Sequence, residues 1–73
     1  MNFQQLEYVL AVHRTKHFGK AAESCNITQA TLSAMIKKLE EELSILIFDR
    51  SRHPIQTTGD GMLLLKNAED ILA

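Results

Sequence analysis

Few side chains in this sequence could carry covalent chemistry, but a cluster of them could hydrogen-bond to a flat polar surface. Thr28, Gln29, Thr31 and Ser33 follow one another closely, with the small Ala30 among them. A glutamine amide both donates and accepts, which matches the N6 and N7 edge of adenine, and a hydroxyl can serve a base edge or a phosphate oxygen. Lys37 and Lys38 follow, and Arg50 and Arg52 come later in a polar stretch. Cations spaced in this way can neutralise phosphates. The same residues also suit an ordinary solvated helix face, and on this stretch alone both readings stand.

Other chemistry finds no support. His13 and His17 are four apart with Cys25 further on, but they flank an expected helix break, and neither an H-E-x-x-H run nor paired cysteines is present. A lone cysteine on a predicted buried face reads as a small core residue. No nucleophile stands beside a base, and no glycine-rich phosphate loop occurs, so the chain reads as a non-enzyme that calls for neither cofactor nor metal.

The elements that must position the polar cluster follow from periodicity. Leu32, Met35, Ile36, Leu39 and Leu43 recur at spacings of three and four, which predicts a helix over 28–43 capped by Thr28. Its other side is small, then polar, then basic, and the acidic run Glu40 to Glu42 closes it. Upstream, Asn2 is the expected cap of a first helix to Arg14, with Phe3, Leu6, Val9, Leu10 and His13 on one side. Phe18, Ala21, Ala22 and Cys25 share the face of a short second helix, whose alanines permit close packing. Asn26 suits the left-handed turn that ends it. A short helix, a tight turn and a capped second helix form the helix-turn-helix pattern.

After Leu43 the period changes. Ile45 to Phe48 and Ile55 to Thr57 read as two short strands joined by the basic loop Arg50 to His53, a small wing over 49–54. Thr58 or Asp60 caps a last helix, with Gly59 and Gly61 shaping its entry. Leu64, Leu65, Ala68 and Leu72 give that helix more apolar surface than so short a chain can cover, which predicts a homodimer. The fold class is mainly α: a winged helix-turn-helix with a short two-stranded β wing over 1–57 and a linker helix over 58–73. The pattern runs to Ala73 without a terminating glycine or proline, so a further domain is expected beyond it.

The totals agree with one small domain. The chain has 73 residues and a net charge of −1. Seven of its eight lysines and arginines lie between Arg14 and Arg52, so a basic face is compatible with the balanced total. The single cysteine points to the reducing cytoplasm, and neither a membrane-spanning run nor an export signal is present.

These residues resemble the N-terminal domain of the LysR-type transcriptional regulators. The matching run takes in Leu6, Phe18, Ala21-Ala22, Thr28-Gln29, Thr31-Leu32-Ser33, Ile36 to Glu40, Leu43, Phe48-Asp49-Arg50, Thr58 and Gly61, which is nearly the whole chain. The runs LEYVLAV, HF, ESC and GMLLL are most similar to the peroxide-sensing, OxyR-type activators. The resemblance implies a dimeric bacterial regulator at promoter DNA, cytoplasmic and nucleoid-associated, whose effector domain senses the inducer. It puts Gln29, Ala30 and Ser33 at base-facing positions, Thr28, Thr31, Lys37 and Arg50 at backbone or base-edge positions, and Arg52 at the wing tip. Two residues depart from the family pattern: Ala30 stands where proline is usual, and Ser44 where glycine is usual. Without the resemblance, a helix-turn-helix used for protein contact remains the other reading.

Overall fold

The computed structural model describes residues 1–72, with side chains as far as Ala68. Its order is α1 (Phe3–Thr15), α2 (Phe18–Ser24), α3 (Gln29–Leu43), β1 (Phe48–Asp49), β2 (Gln56–Thr57) and α4 (Gly59–Leu72). The expected helices are all present, and the start of each of the first three is fixed by a side chain. Asn2 and Gln5 cap α1 reciprocally, the Gln5 N–H reaching Asn2 Oδ1 at 2.8 Å and the Asn2 N–H reaching Gln5 Oε1 at 3.0 Å. His17 Nδ1 accepts the Lys20 N–H at 3.1 Å to start α2, and Thr28 Oγ1 accepts the Thr31 N–H at 3.1 Å to start α3.

The core gathers one face from every helix. Leu6, Tyr8, Val9 and Val12 of α1 meet Phe18, Ala21 and Ala22 of α2 and Leu32, Ile36 and Leu39 of α3. Ile47, Phe48 and Ile55 close it from the strand region, and Leu65 and Ala68 close it from α4. Phe18 meets Phe48 edge to face with ring centroids 6.2 Å apart, a favoured aromatic geometry. Phe3 departs from the expected apolar face: at the first position of α1 it is 74% exposed. Leu43 is partly exposed at the other end of its stripe, and Cys25 is half-buried where a core position was expected.

The strands are shorter than alternation suggested. Two residues pair with two, antiparallel, Phe48 opposite Thr57 and Asp49 opposite Gln56. The reason lies in α3. Glu40 Oε2 accepts the N–H of Ile47 at 2.7 Å and of Phe48 at 3.3 Å, so a side chain takes the donors a longer strand would have used. The Ile47 carbonyl in turn accepts the Thr58 N–H at 2.9 Å.

Three non-glycine residues end helices or turns in the left-handed region: Lys16 at φ 55°, Asn26 at φ 58° and Ser44 at φ 55°. Asparagine tolerates this conformation; lysine and serine are strained in it. Ser44 closes α3, its N–H bonded to the Glu41 carbonyl at 3.2 Å. Ser44→Gly should therefore stabilise the chain by about 0.5–1 kcal/mol, the relief being partly offset by a freer unfolded state. The urea midpoint is expected to rise, and a fall would mean that the serine hydroxyl compensates for its backbone.

Candidate nucleic-acid interface

The stripe that anchors α3 leaves its opposite side bare. Leu32, Ile36 and Leu39 are at most 1% exposed, whereas Thr28, Gln29, Ala30, Thr31, Ala34, Lys37 and Lys38 face outward. The cap extends into a hydroxyl pair, Thr28 Oγ1 donating to Thr31 Oγ1 at 2.8 Å. The start of α2 adjoins this face: a methyl group on Gly19 would lie 2.9 Å from His17 Cε1 and 3.3 Å from Gln29 Oε1. Gly19 thus gives room to the two side chains that begin α2 and α3, a role that becomes visible only once the helices are packed.

Ser33 is half-buried and engaged. Arg50 Nη1 donates to Ser33 Oγ at 2.6 Å, and Nη2 lies 3.4 Å from the Ser33 carbonyl oxygen and 3.5 Å from Glu40 Oε1. The same guanidinium covers the Phe18 ring at 4.5 Å from its centroid, a cation–π contact. Arg50 was expected in the wing loop, free for DNA. It instead lies over α3, joining Ser33, Glu40 and Phe18 on the side from which Ser33 projects.

Glu40 went unrecognised in the sequence as a member of this site. Set in an acidic run, it reads as a solvated helix end, yet it is 6% exposed and supports both the backbone before the wing and the arginine after it. Glu41 and Glu42 beside it are exposed, as expected.

The wing tip is ordered by its own carboxylate. The Ser51 hydroxyl and the Ser51 N–H both donate to Asp49 Oδ1, and Arg52 Nε lies 3.3 Å from Asp49 Oδ2. The Ser51 hydroxyl bond, helped by the Ser51 N–H and then by Arg52, holds the Asp49 carboxyl below its ordinary range. A depressed value means that its contribution is present above the ordinary carboxylate pKa and lost as pH falls through the lowered one. Arg52 is 71% exposed, so its ion pair is weak and the guanidinium can exchange Asp49 for a phosphate.

On α4 the expected apolar stripe divides. Leu65 and Ala68, expected at a subunit interface, are each 4% exposed within this chain's own core. Turning those two inward leaves Leu64 half-buried and Met62 and Leu63 exposed. The side chain of Leu72 lies outside the described residues. His13, half-buried as expected, has its Nδ1 2.7 Å from Thr57 Oγ1, linking α1 to β2. No group of three or more candidate metal ligands occurs among the described residues, and no helix there is long and apolar enough to cross a membrane.

A family model described as bacterial regulatory helix-turn-helix protein, lysR family, matches residues 3–62. The hydrogen peroxide-inducible genes activator of Haemophilus influenzae is 46% identical over 72 residues, covering 99% of this chain and 24% of that protein. The DNA-binding transcriptional dual regulator OxyR of Escherichia coli K12 is 42% identical over 99% of this chain, again 24% of the relative. The chain therefore spans about a quarter of the length of these relatives. Among solved structures, the BenM DBD in complex with benA site 1 DNA superposes with a TM-score of 0.91 at 38% identity, covering 99% of this chain and 81% of that one.

Proposed function

Because the chain belongs to the lysR family of bacterial regulatory helix-turn-helix proteins, we propose that it binds promoter DNA in the cytoplasm, at the nucleoid, as one head of a dimeric transcription regulator. The observation that carries this reading is the two-sided α3: Leu32, Ile36 and Leu39 are buried on one side while Gln29, Ala30 and Thr31 stand exposed behind a Thr28 cap. A helix that enters the major groove needs a slim, hydrogen-bonding first half and a rigid back.

In this reading Gln29, Ala30 and Ser33 face base edges, and Thr28, Thr31 and Lys37 reach edges or phosphates. Arg52 approaches the backbone or the minor groove from the wing. Residues 1–57 form the binding head, and 58–73 begin a linker helix whose exposed Met62 and Leu63, with Leu64, support pairing with a second copy. Two such heads would meet successive major grooves about 34–36 Å apart, or a multiple of that. The names of the relatives support a peroxide-responsive activator, with the signal sensed by residues beyond this chain.

A salt titration of binding to promoter DNA tests the reading. Log affinity should fall linearly with log salt, with a slope of about −0.9 for each phosphate neutralised. A slope near zero would favour a helix-turn-helix that binds protein. Gln29→Ala should cost about 1–3 kcal/mol on the preferred site and relax preference at one base pair. Binding profiles over single-base variants of the site check this, and an equal loss on every variant would place Gln29 away from the bases.

A further inference from the structure

Resting on the DNA-binding reading above, we propose that Arg50 is a positioning residue that commits the Ser33 hydroxyl to donate a hydrogen bond, so that Ser33 selects an acceptor atom on the DNA. The acceptor would be a purine N7, guanine O6 or thymine O4 in the groove, or a phosphate oxygen.

A guanidinium has only donors and stays charged, so Ser33 Oγ must accept from Arg50 Nη1, at 2.6 Å. Arg50 is held in that pose on three other sides: by the Ser33 carbonyl at 3.4 Å, by Glu40 Oε1 at 3.5 Å and by the Phe18 ring at 4.5 Å. It cannot swing to another partner without giving up all of them.

Two consequences follow for the hydroxyl. Its own proton must point away from the cation. Helical hydroxyls often give that proton to a carbonyl one turn back, as Thr15 does to Ala11 at 2.8 Å. Among the described residues, the Ser33 hydroxyl makes no such bond and has Arg50 as its partner. Accepting a charged hydrogen bond also polarises the O–H and strengthens it as a donor. A second donor approaching Oγ, such as an adenine or cytosine amino group, would meet the cation beside it. Glu40 meanwhile neutralises part of the Arg50 charge, which makes Arg50 a weaker phosphate ligand than its place beside the wing suggests.

The experiment starts with a duplex selected from random DNA by the intact chain. Fluorescence anisotropy then measures binding to that duplex carrying, one position at a time, a 7-deazapurine, 2-aminopurine, 4-thiothymine or a methylphosphonate. The intact chain should lose about fivefold or more in affinity at one modification, the base analogues reporting a base acceptor and the methylphosphonate a phosphate. Ser33→Ala should lose a similar factor on unmodified DNA and be indifferent to that modification. Arg50→Lys, which keeps a cationic donor and folds by circular dichroism, should retain the sensitivity. Adding Ser33→Ala to Arg50→Ala should cost less than about twofold more, because the two act as a unit.

An identical modification profile for Ser33→Ala and the intact chain, or independent multiplication of the two losses, would overturn the proposal. Failure of the intact chain to select any duplex would remove the DNA-binding reading itself, and this inference with it.

Discussion

Glu40→Ala is expected to lower the stability of the chain by about 3–5 kcal/mol, a large fraction of what a domain of this size possesses. The alanine strips the acceptor from two backbone N–H groups, those of Ile47 and Phe48, in a stretch whose side chains are at most 2% exposed. Buried donors left without a partner cost about 1–3 kcal/mol each. Arg50 loses its carboxylate in the same step. Glu40→Gln has the same shape and retains one acceptor oxygen, so its cost should be about 1–3 kcal/mol. Urea unfolding followed by circular dichroism ranks the three proteins. Midpoints within error of one another would mean that water or a rearranged loop replaces the carboxylate at little cost. The alanine variant should also bind DNA less well at temperatures where it is still folded, because the pose of Arg50 over Ser33 depends on Glu40.

The second large effect concerns two glycines at one helix start, with opposite signs. Gly61 is buried, and a Cβ there would run into the Ile47 carbonyl oxygen and come within 2.9 Å of Thr57 Cγ2. The carbonyl is backbone and is tied to Thr58, so it cannot move aside alone. Gly61→Ala should therefore destabilise by about 1–3 kcal/mol, as overpacking does. Gly59 has nothing within 4 Å of its notional Cβ. Gly59→Ala should be neutral, or stabilising by up to about 1 kcal/mol through helix propensity. Thermal unfolding of both variants decides the matter, and a stabilised Gly61→Ala would show that α4 docks less tightly than its entry suggests.

Local chemistry made much of this fold legible in the sequence. Asn2 and Thr28 cap the helices they precede because a cap is settled within four residues, and Asn26 takes the left-handed turn for the same reason. The stripe of Leu32, Ile36 and Leu39 is buried as its spacing required. What sequence could not separate was equivalent neighbours. Glu40, Glu41 and Glu42 are alike in type and propensity, and only the return of the chain at Ile47 decides which is buried. Leu64 and Leu65 are likewise adjacent leucines on one helix, and the core claims only the second fully. Both expected strands formed, but the first is shorter than its alternation over Ile45 to Phe48 suggested, because a carboxylate took backbone hydrogen bonds there. Arg50 stands out in the sequence only as a cation of the wing loop; that it grips α3 depends on where Phe18 and Ser33 come to lie.

The peptide groups of Ile47 also form a mechanical joint. The N–H of this residue holds a carboxylate of α3, and its carbonyl holds the first N–H before α4. Two short bonds in series thus connect the start of α4 to the helix that presents Gln29 and Ser33. The orientation of α3 is therefore tied, through Ile47, to that of the start of α4.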